Sequence, residues 1–162
     1  MEHERYNNME SVGAMNQKGF SLIELIIVIT IISILAGIAV PAYIGQQKRA
    51  ARTEAYSNLQ NLRLLEEQFF AENARYTIDL GTCAADNPGN VAIIQTGGGD
   101  PTNKLPGFKP GNDTSFSYCI ENDVDLDGNA QSPCFRAQAF GNTGTRVAGD
   151  VFAIDCNNNR NF

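Results

Sequence analysis

A single carboxylate, Glu24, sits inside a run rich in Leu, Ile and Val that extends from Phe20 to Val40. A carboxylate in hydrocarbon is costly unless it is neutralised or paired, and by default it marks a functional position. Glu24 lies one helical turn after Phe20. A chain cut between Gly19 and Phe20 would gain an α-amino group at Phe20, and that amine on a neighbouring copy could pair with Glu24. The alternative is a carboxylate held shallowly at headgroup level and paired with nothing. Other chemistry-bearing residues are sparse. The only histidine is His3, upstream of that cut, so no Ser/His/Asp or Cys/His set is available downstream and the chain does not read as an enzyme. Cys83, Cys119, Cys134 and Cys156 show no CxxC spacing, and their even number points to two disulfides in an oxidising compartment.

Asp123, Asp125 and Asp127 alternate ahead of Gly128 and resemble the opening of a calcium loop. The twelfth position is Cys134 rather than Glu and no flanking helices are expected, so an acidic hairpin turn is the reading taken, with calcium as the alternative. No other cofactor is implied. Asn112-Asp113-Thr114 is a glycosylation sequon. The Gly97-Gly98-Gly99-Asp100-Pro101 run reads as a turn, because no GK[ST] follows it.

The element that carries Glu24 must be a long helix. About 20 residues span roughly 30 Å of hydrocarbon, which Phe20 to Val40 supplies. A cleavable signal peptide has a shorter apolar core and small residues at its far side, whereas here the apolar run flows into a second helical pattern. Gly37 and Pro41 loosen the join without ending the helix. Beyond it, Ala51, Ala55, Leu59, Leu62, Glu66 and Phe69 recur at three- and four-residue spacing, with polar residues opposite. One helix of about 50 to 55 residues is expected, apolar all round in its first half and one-sided in its second.

The residues Lys18-Gly19-Phe20-Ser21-Leu22-Ile23-Glu24 and the apolar run after them resemble the N-terminal signature of type IV prepilins and the related pseudopilins of type II secretion. The resemblance is close over about 19–76. It implies that a membrane aspartyl peptidase cuts after Gly19 and methylates the amine of Phe20. It further implies that Glu24 registers subunits through a neighbour's terminal amine, and that Pro41 is the helix-weakening proline. Met15 would give a compact leader, MNQKG, of the kind many prepilins carry. The resulting organisation is a removed leader at 1–19, a long helix at 20–76 whose 20–42 half is transmembrane and later filament core, and a globular β part at 77–162.

The fold class expected is α+β, type IV pilin-like, with the long helix packed on a small antiparallel sheet. Strands are expected at 114–120, 135–140 and 147–154, with a further short strand at Asn90 to Gln95. Cys119 and Cys134 flank the first strand connection, which slightly favours a Cys119–Cys134 bridge with Cys83–Cys156 closing the loop. The other pairing, Cys83–Cys119 with Cys134–Cys156, resembles the C-terminal disulfide loop of many pilins. Major pseudopilins also carry a calcium-bearing loop, though its ligands do not align here residue by residue. The aromatics Phe20, Tyr43, Tyr56, Phe69, Phe70 and Tyr76 read as packing residues rather than an electron path.

The formal charge is -6, and without residues 1–19 the chain keeps 15 acids and 10 bases, which argues against a broad nucleic-acid surface. The expected function is a structural subunit of a helical filament, a homo-oligomer built through the N-terminal helices; a pseudopilin or minor pilin is the alternative. Expected partners are the prepilin peptidase and methyltransferase, the pilus assembly machinery, and the membrane before assembly. The precursor would cross the inner membrane once with a periplasmic head and then join an extracellular filament.

Overall fold

The computed structural model describes residues 19–111 and 115–162. The sequon at Asn112 to Thr114, together with Lys18 and the rest of the leader, lies outside the described residues. Five elements follow in order: α1 (Leu22–Asn73), α2 (Asn90–Thr96), β1 (Phe116–Val124), β2 (Ala130–Gly141) and β3 (Val151–Asp155). The fold is α+β, a long partly apolar helix with a small antiparallel sheet. The chain divides into two units at Pro41/Ala42.

In the first unit, α1 is built from Leu, Ile, Val and Ala, and no described side chain is buried. The hydroxyls of Thr30 and Ser33 donate to the carbonyls of Ile26 and Ile29, both at 2.7 Å. Each polar group is thereby satisfied within the helix, as an apolar surrounding requires. Pro41 lies inside α1, which continues past it.

In the second unit, the buried positions of α1 are Ala55, Leu59, Leu62, Glu66 and Phe69, the stripe expected from periodicity. The sheet is a meander in the order β1-β2-β3, antiparallel throughout. Its registers align Tyr118, Ala139 and Phe152 in one row and Ile120, Ala137 and Ile154 in the next. All six join the core cluster with Leu59 and Leu62. Two small residues on the central strand leave a trough between larger ones, which suits a face that must receive a helix's leucines. Asn58 donates to the Tyr118 hydroxyl at 2.8 Å, and Tyr56 meets Phe152 edge-on at 4.8 Å.

Three strand expectations need correction. Asn90 to Gln95 is the helix α2 rather than a strand; a run this short does not distinguish the two periods. Helix satisfies it locally, burying Ile94 and ending in a left-handed Gly97 at φ 81°. A Cβ on Gly97 would collide with the carbonyl of Asp100, so only glycine fits. Val147 lies outside β3, in a turn where its carbonyl accepts from the Asp150 amide at 2.9 Å, and its side chain is buried. β1 and β2 run longer than expected, to Val124 and from Ala130, with a register break between Asn122 and Val124. That break faces the stretch containing Pro133, which has no amide to give the ladder.

The free edge of β1 is met by the backbone at Leu80, and the residues on either side of Leu80 are in turn held by side chains. Leu80 and Ile120 exchange two backbone hydrogen bonds at 2.9 Å, so residues 77–82 run alongside β1. Asn103 brackets Ile78, accepting from its amide at 2.7 Å and donating to its carbonyl at 2.9 Å. Asn90 does the same to Thr82 at 3.0 and 2.8 Å. Two buried asparagines thus stand in for a neighbouring strand, a solution to the exposed-edge problem that composition does not reveal.

Candidate functional site

Gly19 and Phe20 precede the first turn of α1, and Phe20 is 88% exposed. Glu24 is the acidic residue of that first turn, where the Leu25 amide donates to the Ser21 carbonyl at 3.2 Å. A carboxylate near a helix N-terminus is favoured by the local dipole. Gly37 has open space around it, so a side chain there would meet nothing within this chain. The large apolar residues from Leu22 to Ile44 are between 45% and 75% exposed. An apolar surface of this extent, on a helix long and apolar enough to cross a membrane, marks an interaction with lipid or other protein. Gly19, Phe20 and a lone carboxylate thus directly precede or open an apolar helical stretch in which no described residue is buried.

The acidic motif is absorbed by a turn. The carboxylate of Asp125 accepts from the amides of Asp127 at 3.0 Å and Asn129 at 2.8 Å, and from the Asn129 side chain at 3.1 Å. These bonds, the Asn129 side chain's first, hold the Asp125 carboxyl below its usual range. Asp123 accepts from its neighbour Asn122 and has φ 53°, and Asp127 is exposed. Among the described residues, no group of three or more His, Cys, Asp or Glu is placed to hold a metal.

The same turn occurs twice. Asp155 accepts from the amides of Asn157 and Asn159 at 2.9 and 2.8 Å and from the Asn159 side chain at 2.9 Å. In both loops the first residue's amide also donates to the fifth's carbonyl, and the fourth residue has positive φ: Gly128 at 86°, Asn158 at 62°. Asp-Leu-Asp-Gly-Asn and Asp-Cys-Asn-Asn-Asn are therefore one hairpin device used twice, a signal present in the sequence but missed in reading it. They differ in burial, since Asp155 is fully buried. Asp155→Ala strands three donors and is expected to cost about 2 to 4 kcal/mol. Asp125→Ala, at an exposed turn, is expected to cost less; chemical denaturation of the two variants in detergent compares them.

Glu66 is the second residue whose role was missed: it shares the spacing of the apolar stripe and is fully buried. The Thr77 amide donates to Oε2 at 3.1 Å, and the Thr77 hydroxyl bonds Oε1. Burial pushes the Glu66 carboxyl up to about 7, opposed by the Thr77 bonds, with Glu67 adding to the rise and Arg75 reducing it. The unfolded chain releases this proton near 4.5 while the folded chain keeps it to about 7, so stability falls as pH rises between these values. The fall is on the order of 3 kcal/mol. Asp150, lowered by the Arg52 side chain, acts in the other direction and only below its ordinary 3.8. Glu66→Gln keeps the shape without the charge and is expected to flatten the decline between pH 4.5 and 7 in denaturation midpoints.

The disulfides join Cys83 to Cys119 and Cys134 to Cys156. The slightly favoured pairing, Cys119–Cys134 with Cys83–Cys156, is not formed, for a reason of register. Cys119 stands opposite Gln138, four residues along β2 from Cys134. That is about 13 Å of strand, whereas bridged Cα atoms lie roughly 4 to 7 Å apart. The bonds formed have Cα separations of 5.2 and 5.3 Å.

The aromatics divide by place. Tyr56 stacks on Phe162 at 4.4 Å, and Tyr76 touches both Phe70 at 4.6 Å and Phe135 at 4.9 Å. Phe69 is buried, while Tyr43, like Phe20, is exposed.

Residues 14–40 match the prokaryotic N-terminal methylation motif. The chain is similar to the type IV major pilin protein PilA of Myxococcus xanthus, 48% identical over 60 residues, which cover 37% of this chain and 27% of that protein. It is also similar to fimbrial protein Q of Moraxella bovis, 39% identical over 82 residues and 51% of each chain. The type II secretion system core protein G of Klebsiella pneumoniae is 35% identical over 60 residues, 37% of this chain and 43% of that protein. These matches thus span about half or less of the relatives' own lengths.

Proposed function

We propose that the chain, whose residues 14–40 match the prokaryotic N-terminal methylation motif, is the structural subunit of a type IV pilus-like helical filament. Supporting this reading above all is the continuity of Gly19, Phe20 and Glu24 with the apolar first half of α1, in which no described residue is buried. The peptidase cuts between Gly19 and Phe20, removing residues 1–19, and the new amine of Phe20 is methylated. Phe20 to Ala42 first rests in the inner membrane as a single span, with the sheet-bearing part on the periplasmic side.

Assembly then exchanges lipid contacts for copies of the same helix. Lipid and neighbouring Leu and Ile side chains are about equally apolar, so the apolar surface gives this exchange little direction. Glu24 supplies the direction by pairing with the terminal amine of a neighbouring Phe20. Gly37 and Pro41 let the helix bend or locally unwind at the join. Head-to-tail packing of this kind does not close on itself and yields a fibre. The partners are the prepilin peptidase, the assembly machinery and further copies of this chain.

The similarity to type II secretion core protein G supports a second reading, a pseudopilin or minor pilin confined to the cell envelope. Intact-mass spectrometry of sheared surface filaments tests both. Abundant filament protein beginning at N-methylated Phe20 and carrying two disulfides supports the pilin. Protein found only in the envelope, with a secretion defect on deletion, supports the pseudopilin, and filament protein retaining residues 15–19 contradicts the processing scheme.

A further inference from the structure

The run of large exposed apolar residues that begins α1 ends at Ile44, and the basic residues Lys48, Arg49 and Arg52 follow within two turns. Lys48 lies one turn, about 6 Å, beyond Ile44, and the exposed ring of Tyr43 precedes both. Their engagement differs. Arg52 is held by Asp150 through two bonds of 2.8 Å, Nε to Oδ2 and Nη2 to Oδ1. Lys48 only approaches the same carboxylate, at 3.9 Å, and keeps its side chain 38% exposed. Arg49 is exposed and its guanidinium has no hydrogen bond or ion pair among the described residues.

We propose that Tyr43, Lys48 and Arg49 form a collar that binds the anionic headgroups of the leaflet bordering the exported side of the span. This rests on the reading of the chain as a membrane-anchored precursor. A tyrosine at the end of an apolar span sits well at the headgroup boundary, its ring in the apolar layer and its hydroxyl in water. Arginine takes phosphate oxygens in a bidentate grip, and a neighbouring ammonium adds a point charge. Lys48 and Arg49 lie at nearly the same level along the helix and about 100° apart around it, so together they reach lipids on more than one side. Asp150 orients Arg52 toward the protein and leaves the outward cations to the bilayer. Cations just beyond the span on the exported side oppose the usual charge bias for orientation, a cost that headgroup binding offsets once the chain is in place.

The test uses the full chain and its Lys48→Gln/Arg49→Gln variant in nanodiscs of phosphatidylglycerol and phosphatidylcholine in equal parts. Spin-labelled lipids report which lipid contacts the protein, and protease protection reports insertion. Phosphatidylglycerol is expected to be enriched at the protein by about fivefold for each cation engaged, with parity in the double variant and at high ionic strength. Equal association of the two lipids with the inserted wild-type chain would overturn the collar, as would a preference that survives in the variant. Crosslinks tying Arg49 to acids of a second copy, with no lipid preference, would assign these cations to subunit contacts instead and also overturn it. Failure of the wild-type chain to insert would remove the membrane reading itself, an outcome that protease protection separates from loss of lipid selectivity.

Discussion

Cells producing the Glu24→Gln chain are expected to make, insert and cleave the precursor normally but to shed at least about tenfold less filament, the equivalent of ~1.4 kcal/mol per subunit addition. The substitution keeps the size and polarity of the side chain and removes only its charge, so leader removal and residence in the membrane should not change. Under the proposed scheme, what is lost is the partner for the amine that cleavage would expose. Among the described residues Glu24 is on the first turn of α1 and forms no ion pair. Breaking one side of a buried ion pair strands the other charge, and that penalty commonly exceeds the value of the pair itself. Because a filament repeats each contact along its length, a modest penalty per subunit becomes a large loss of polymer. Immunoblots of sheared and whole-cell fractions, with intact masses to confirm cleavage at Gly19, measure the effect. Wild-type filament yield from cleaved Glu24→Gln subunits would remove Glu24 from the assembly contact.

The sequence was most informative where one residue type carries one physical demand. The apolar run before Ile44 is set by composition and the stripe from Ala55 to Phe69 by periodicity, and the structure follows both. The three strands were legible as stretches, but their ends depended on Pro133 and on the turn chemistry of Asp125 and Asp155, which act through backbone amides rather than through alternation. α2 was read as a strand because seven residues cannot show a period, and a left-handed Gly97 and the burial of Ile94 decide its form. Periodicity put Glu66 on the buried stripe but not its bond to Thr77, and Asn90 and Asn103 were illegible as buried residues, since each is polar and is satisfied by the backbone of residues 78–82. At the N-terminal site, residue order placed Glu24 one turn into the helix, whereas its pairing involves a second chain and belongs to the proposal.

Replacing all four cysteines with serine is expected to leave the second unit without a stable fold at physiological temperature. The two bridges close loops separated by 36 and 22 residues in sequence. In the chain-entropy description each contributes about 3 to 4 kcal/mol by restricting the unfolded chain. Together that is comparable to the whole stability of a small domain, about 5 to 15 kcal/mol. The sites are also structurally distinct. Cys83–Cys119 ties the irregular segment after residue 82 to β1 beside the Leu80–Ile120 bridge, whereas Cys134–Cys156 joins β2 to the end of β3, next to the Asp155 turn. The Cys134→Ser/Cys156→Ser variant should therefore release the 157–162 segment, including the Asn161 contacts to Ala153 and the Phe162 ring stacked on Tyr56. Cys83→Ser/Cys119→Ser should instead loosen residues 77–90 while β2 and β3 stay paired. Hydrogen exchange on each double variant, beside denaturation of the four-serine chain, separates these outcomes. A four-serine protein with wild-type midpoint and exchange protection would show that the core of Leu59, Leu62, Phe108 and Phe135 holds the sheet unaided.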